Sequence, residues 1–146
     1  MKQLNLNTFS ASIASLYPTL SWHIDIPREL SILADENLLR QVFINLVKNA
    51  IEVGAKSIGI RHIPPAKTSE RSANGFGTLQ VSNDGHTISD EVARQIFIPF
   101  FTTKQSGSGI GLSLSRQILM RQKLTLSLRQ HPITGYNVTF EIENDR

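Results

Sequence analysis

The chain has 146 residues, 40% of them hydrophobic, with 15 basic against 12 acidic side chains, a formal net charge of +3 and no cysteine. That length supports one core of ordinary size, so residues 1–146 are read as a single domain; the lack of cysteine excludes disulfides, thiolate metal sites and a thiol nucleophile, and fits a cytoplasmic setting. No apolar run reaches the ~18 residues of a membrane span. The charges are scattered and the four histidines lie far apart, which disfavours bilayer insertion, nucleic-acid binding and a helix-borne metal pair.

In chain order, Phe9, Ile13, Leu16 and Leu20 have near-helical spacing, with Pro18 to end that helix. "SWHIDI" alternates Trp22, Ile24 and Ile26 against polar neighbours and is closed by Pro27, which predicts a strand, and "SILAD" reads as a second short one. From Glu36 to about Val53 the set Leu39, Val42, Phe43, Leu46 and Ala50 follows a 3.6-residue period, with Asp35 as N-cap and Gly54 at the far end. "KSIGIRHI" and "TLQVSN" read as strands joined by the polar connector "PPAKTSERSANGFG". "SDEVARQIF" predicts a short helix capped by Ser89, and a longer helix runs from about Ile110 to Gln122. "LTLSL" and "YNVTFEI" alternate around the turn residues of "HPITGYN", predicting a terminal hairpin. Helices and strands without strict βαβ alternation imply an α+β two-layer sandwich: a mixed, mostly antiparallel sheet with about three helices on one face.

Three stretches could carry chemistry. On the 36–53 helix, Asn45, Asn49 and Glu52 project from nearly one face beside the apolar stripe, and Lys48 points elsewhere. A neutral amide oxygen can ligate a hard cation such as Mg²⁺ alongside phosphate oxygens; it can equally bond a neighbouring backbone. "VSNDGHTIS" ends a strand in the turn Asn83-Asp84-Gly85, which could read a flat ligand edge or be an ordinary Asp-Gly turn. "FFTTKQSGSGIGLSL" sets Gly107, Gly109 and Gly111 alternately at a helix start, behind the hydroxyls of Thr102 and Thr103 and the cation of Lys104. Free N–H groups and the helix dipole favour a phosphate there, with a flexible hinge as the competing reading.

In this order the stretches resemble the ATP-binding catalytic domain of bacterial sensor histidine kinases, within the wider group of gyrase-type, chaperone-type and mismatch-repair ATPases, the Bergerat ATP-binding fold. "DENLLRQVFINLVKNAIEVGA" looks like the N box, "VSNDGHTIS" the first glycine box, "IFIPFFTTK" the F box and "GSGIGLSLSRQI" the second glycine box, covering about residues 35–118. The resemblance implies ATP and Mg²⁺ held between the N-box helix and a lid over about His86–Ser108, with Asn49 as the Mg²⁺ ligand. It implies catalytic positions at Asn45, Asn49 and Lys104. It implies ATP contacts from Lys48 and Glu52 on the helix, from Asn83, Gly85 and Ile88 at the turn, and from Phe97 and Phe101. In the lid and the next helix the matching positions are Thr102, Thr103, Ser106, Gly107, Ser108, Gly109, Ile110, Gly111 and Leu112.

Two positions depart from the family pattern. Its first glycine box usually reads D-x-G-x-G, with the Asp accepting from the adenine amino group. Asn83 stands at that Asp and Thr87 at the second Gly. Asn83 still offers an amide oxygen but not a charge, which weakens adenine binding by on the order of 1 kcal/mol. Asn45 stands where the related ATPases place a Glu that activates water, and an amide is no general base, so hydrolysis by the isolated domain should be slow. None of the four histidines lies in a predicted helix. The resemblance therefore implies transfer of the γ-phosphoryl group to a histidine on a separate dimerisation domain of a longer kinase, with a response regulator downstream. The alternatives are a degenerate nucleotide-binding regulatory module and an anti-sigma-factor-type serine kinase.

Overall fold

The computed structural model describes residues 1–65, 75–99 and 111–144. The first strand, β1 (Lys2–Asn5), leads directly into α1 (Leu6–Ser15), whose N-cap Asn5 accepts the Thr8 N–H through its side chain. Helix α1 ends at Ser15, ahead of Pro18 as the sequence predicts; Leu16 is already the C-cap and is 53% exposed, so Leu16 and Leu20 do not belong to its apolar face. Next come β2 (Ser21–Asp25) and β3 (Ser31–Ala34). Strand β3 pairs antiparallel with β1 in a separate two-stranded sheet, through a partner that the sequence pattern did not reveal.

Helix α2 (Glu36–Glu52) forms as its periodicity predicts, with the Asp35 carboxylate accepting the Leu38 N–H at 3.0 Å. Its stripe of Leu39, Val42, Phe43, Leu46, Val47 and Ala50 is at most 2% exposed, and each larger side chain so buried contributes about 1.5–3 kcal/mol. Phe43 meets Phe9 of α1 edge to face at 5.1 Å. Strands β4 (Ser57–Ile63) and β5 (Thr78–Asn83) follow, then the short α3 (Asp90–Ala93), capped by Ser89 as expected but ending before the predicted Phe97. Helix α4 (Gly111–Arg121) and the strands β6 (Leu124–Leu128) and β7 (Val138–Asn144) complete the chain.

The main sheet has the order β2-β4-β5-β7-β6, in which β2 and β4 run parallel and the other neighbours antiparallel. This is the mixed, mostly antiparallel α+β sandwich that the sequence implied. Alternate residues Ile58, Ile60, Leu79, Val81, Leu126, Phe140 and Ile142 join the helices in one core. The opposite face is polar: Ser82 and Thr139 share a hydrogen bond of 2.8 Å, and Glu141 accepts from Gln80 at 2.9 Å and from Arg129 at 3.3 Å. Tyr136 lies outside β7 and crosses this face, where its Oη is 2.5 Å from the position a Cβ would take on Gly59. Among the described residues no helix is long and apolar enough to cross a membrane.

Candidate functional site

The polar strip on α2 follows from the helical repeat, which puts Asn45, Asn49 and Val53 one turn apart along one face. At one end, Asn45 reaches α4: its Nδ2 donates to the Gly111 carbonyl at 3.3 Å and to Ser115 Oγ at 3.1 Å, while Ser115 Oγ donates to the same carbonyl at 2.8 Å. Its Oδ1 accepts from Gln41 at 3.4 Å. Asn45 thus takes the backbone-bonding alternative and fixes the start of α4, and Gly111 and the half-buried Leu112 stand there with it. Asn49 is half-buried and its amide bonds no described residue. Lys48 and Glu52 are exposed.

At the other end the helix meets the turn after β5. The Val53 carbonyl accepts the His86 N–H at 2.9 Å, and Gly85 packs so closely on Val53 that an added Cβ would lie 2.5 Å from Cγ2 and 2.8 Å from that carbonyl oxygen. Only a glycine permits this approach. Asn83 is 3% exposed, and its Oδ1 accepts the Gly85 N–H at 2.9 Å, closing a small Asx turn. Asp84 points the other way: its carboxylate accepts the N–H groups of Lys56 at 2.7 Å and Ser57 at 2.9 Å. Those backbone N–H groups, Ser57 first and Lys56 second, hold its carboxyl below the ordinary aspartate range. The Asp84 charge, after burial, raises the nearby Tyr136 phenol.

Three features of the site carried no sequence signal. Asn137 clamps the turn: its backbone N–H donates to the Asn83 carbonyl at 2.9 Å, and its Nδ2 donates to the carbonyls of Gly85 at 2.8 Å and Asp84 at 3.3 Å. The guanidinium of Arg116 lies 3.7 Å from the ring centroid of Phe97 and donates to the Leu126 carbonyl through Nε at 3.1 Å and Nη2 at 2.9 Å. Burial lowers its pKa from the usual arginine value. Phe97 also meets Phe140 edge to face at 6.4 Å, so it is wedged between α4 and the sheet. A cleft of about 440 Å³ opens behind the turn, lined by Thr87, Ile88, Arg94, Leu128 and Asn137, and it does not include the α2 strip. Phe101, Thr102, Thr103, Lys104, Ser106, Gly107, Ser108, Gly109 and Ile110 lie outside the described residues.

A mixed sheet packed with two long helices, one of which carries a polar strip from the start of a glycine-led helix to a glycine turn, defines an α+β sandwich. The chain belongs to the family described as histidine kinase-, DNA gyrase B-, and HSP90-like ATPase, whose model matches residues 34–146. Among its relatives, sporulation kinase C of Bacillus subtilis (strain 168) is 34% identical over 113 residues, which are 76% of this chain and 25% of that protein. The chain therefore spans about a quarter of the length of that relative. The catalytic domain of histidine kinase ThkA in a nucleotide-free form is 28% identical with a TM-score of 0.78, covering 99% of this chain and 94% of that one. A second similar structure is ThkA in complex with the response regulator protein TrrA, 27% identical with a TM-score of 0.71, covering 98% of this chain and 41% of that one.

Proposed function

We propose that this domain binds ATP with Mg²⁺ along the α2 strip and donates the γ-phosphoryl group to a histidine on a separate dimerisation domain of a longer kinase, in the cytoplasm, with a response regulator as the downstream acceptor. The observation that carries the reading is the strip itself. It joins the glycine-led start of α4 to the Asn83–Gly85 turn, with the half-buried Asn49 amide bonded to no described residue in between. Mg²⁺ in phosphoryl-transfer sites is held by one or two protein oxygens plus phosphates, and the Asn49 carbonyl suits that small donor set. When bound, the ion would supply charge neutralisation at the phosphates. Among the described residues no cluster of three acidic, histidine or cysteine side chains competes for a cation.

In this reading Asn45 is a positioning residue that holds Gly111, and Asn83 and Gly85 receive the adenine edge. Ile88 and Phe97 wall the base, while Lys48, Glu52, Leu112 and the positions from Phe101 to Ile110, Lys104 among them, serve the ribose and phosphates. A separate phosphoacceptor fits the positions of the histidines: His23 and His62 lie in β2 and β4, and His86 and His131 lie in irregular segments. The likeness to the ThkA–TrrA complex supports the two-component setting.

The test mixes this chain with its parent kinase inactivated in the catalytic domain, using ATP radiolabelled at the γ-phosphate. Acid-labile label on the parent's histidine is expected, and Asn49→Ala should abolish it while keeping the fold. Tight ATP binding without transfer would instead leave a nucleotide-sensing module, the second reading, which the Asn83 and Thr87 departures favour.

A further inference from the structure

We infer that this domain accepts 6-oxopurine nucleoside triphosphates about as well as ATP, because the residue facing the base is an amide fixed in one orientation. The inference rests on the reading of the 83–88 turn as the base subsite. A carboxylate at position 83 could only accept hydrogen bonds; it would receive the 6-amino group of adenine and repel the O6 of hypoxanthine. The Asn83 amide carries one acceptor and one donor group.

Its orientation is set by chemistry. The Gly85 N–H is a donor, so the atom 2.9 Å from it must be Oδ1, and a flipped amide would set N–H against N–H. The turn cannot relax to release that bond. Gly85 is pressed against Val53, His86 is bonded to the Val53 carbonyl, and Asn137 holds the carbonyls of Asn83, Asp84 and Gly85 from the other side. Nδ2 donates to no described residue. It is also not one of the buried side-chain atoms that lack a partner, which among the described residues are Ser10 Oγ and Gln80 Oε1, and Asn83 as a whole is 3% exposed. The base therefore meets a fixed N–H donor beside the second lone pair of Oδ1. Hypoxanthine O6 pairs with the donor and the adenine 6-amino group with the lone pair. Asp84 does not restore the lost discrimination, since its carboxylate is engaged with Lys56 and Ser57.

The experiment is calorimetric titration of the whole chain with ATP and with ITP in the presence of Mg²⁺, on the wild type and on Asn83→Asp. The wild-type Kd values are expected to agree within about threefold, whereas Asn83→Asp should favour ATP by about tenfold or more, as sites built to pair one polar group reject its mismatch. A wild type that prefers ATP by tenfold or more overturns the inference and leaves the ATP reading intact. Failure of the wild type to bind either nucleotide overturns both. The wild-type ratio decides the matter even where Asn83→Asp does not fold.

Discussion

Replacing Gly85 by alanine places a methyl group against Val53 at the C-terminal end of α2. The new Cβ would lie 2.5 Å from Val53 Cγ2, 2.8 Å from the Val53 carbonyl oxygen and 3.0 Å from Asn83 Oδ1. The Val53 side chain can turn away, but the carbonyl cannot move without shifting the end of α2 and stretching the 2.9 Å bond from His86. Overpacking of this kind costs about 1–3 kcal/mol. Weakening the His86 and Gly85 hydrogen bonds adds about 1 kcal/mol, and the stiffer unfolded chain returns about 0.4–1 kcal/mol. A net loss of about 2–3 kcal/mol is expected, read as a fall of about 1–2 M in the urea midpoint by circular dichroism. Adding Val53→Ala should recover less than half, because the carbonyl remains. As a reference, Gly135→Ala carries left-handed strain at φ +93° with nothing within 4 Å of its Cβ, and should cost only about 1 kcal/mol. A Gly85→Ala midpoint within about 0.2 M of wild type would refute the close-packing argument.

Arg116→Met should lose about 2–3 kcal/mol in urea unfolding, as the cation over Phe97 and the paired donors to the Leu126 carbonyl go together; Arg116→Lys should restore little of it, lacking the planar fork. For Asp84 the folded pKa is depressed, so its stabilisation is full above the unfolded value of roughly 3.9 and is lost as pH falls through the folded one. Unfolding free energies of wild type and Asp84→Asn should therefore differ most near neutrality and converge in acid; a gap unchanged at pH 3 would contradict the assignment. Asn137→Ala removes the two side-chain bonds to the turn and should cost about 1–2 kcal/mol and weaken ATP binding in titration. Asn137→Asp, with a carboxylate against two carbonyls, should be worse on both measures.

Helix α2 was legible because a sustained apolar period and a capping aspartate are local signals, and the terminal hairpin was legible because β6 and β7 alternate cleanly. Strand β1 was not: in "KQLN" Leu4 is the one buried side chain, and its partner β3 lies across α1 and β2. The parallel β2–β4 pairing depends on a crossover through α2, which no dipeptide encodes. At the site, residue types on one element could be read, as with Asn45, Asn49 and Asn83. What each touches could not. Asn45 meets Gly111 and Ser115 at separations of 66 and 70 residues, and Asn137 reaches Asp84 and Gly85 at 53 and 52. The direction of Asp84, in contrast, follows from strand alternation, which sends it to the side opposite Asn83.

The Arg116 contact has a consequence for self-association. Strand β6 is an edge of the main sheet, and the Arg129 N–H donates inward to the Thr139 carbonyl of β7 at 2.8 Å. Antiparallel alternation then turns the backbone groups of Leu126, three residues earlier, toward the open edge. Its carbonyl would be free to receive a strand from another molecule, yet two guanidinium N–H groups already occupy it. One side chain thereby obstructs the edge against the strand addition that leads to aggregation, so substitutions chosen to loosen Phe97 also remove a solubility safeguard.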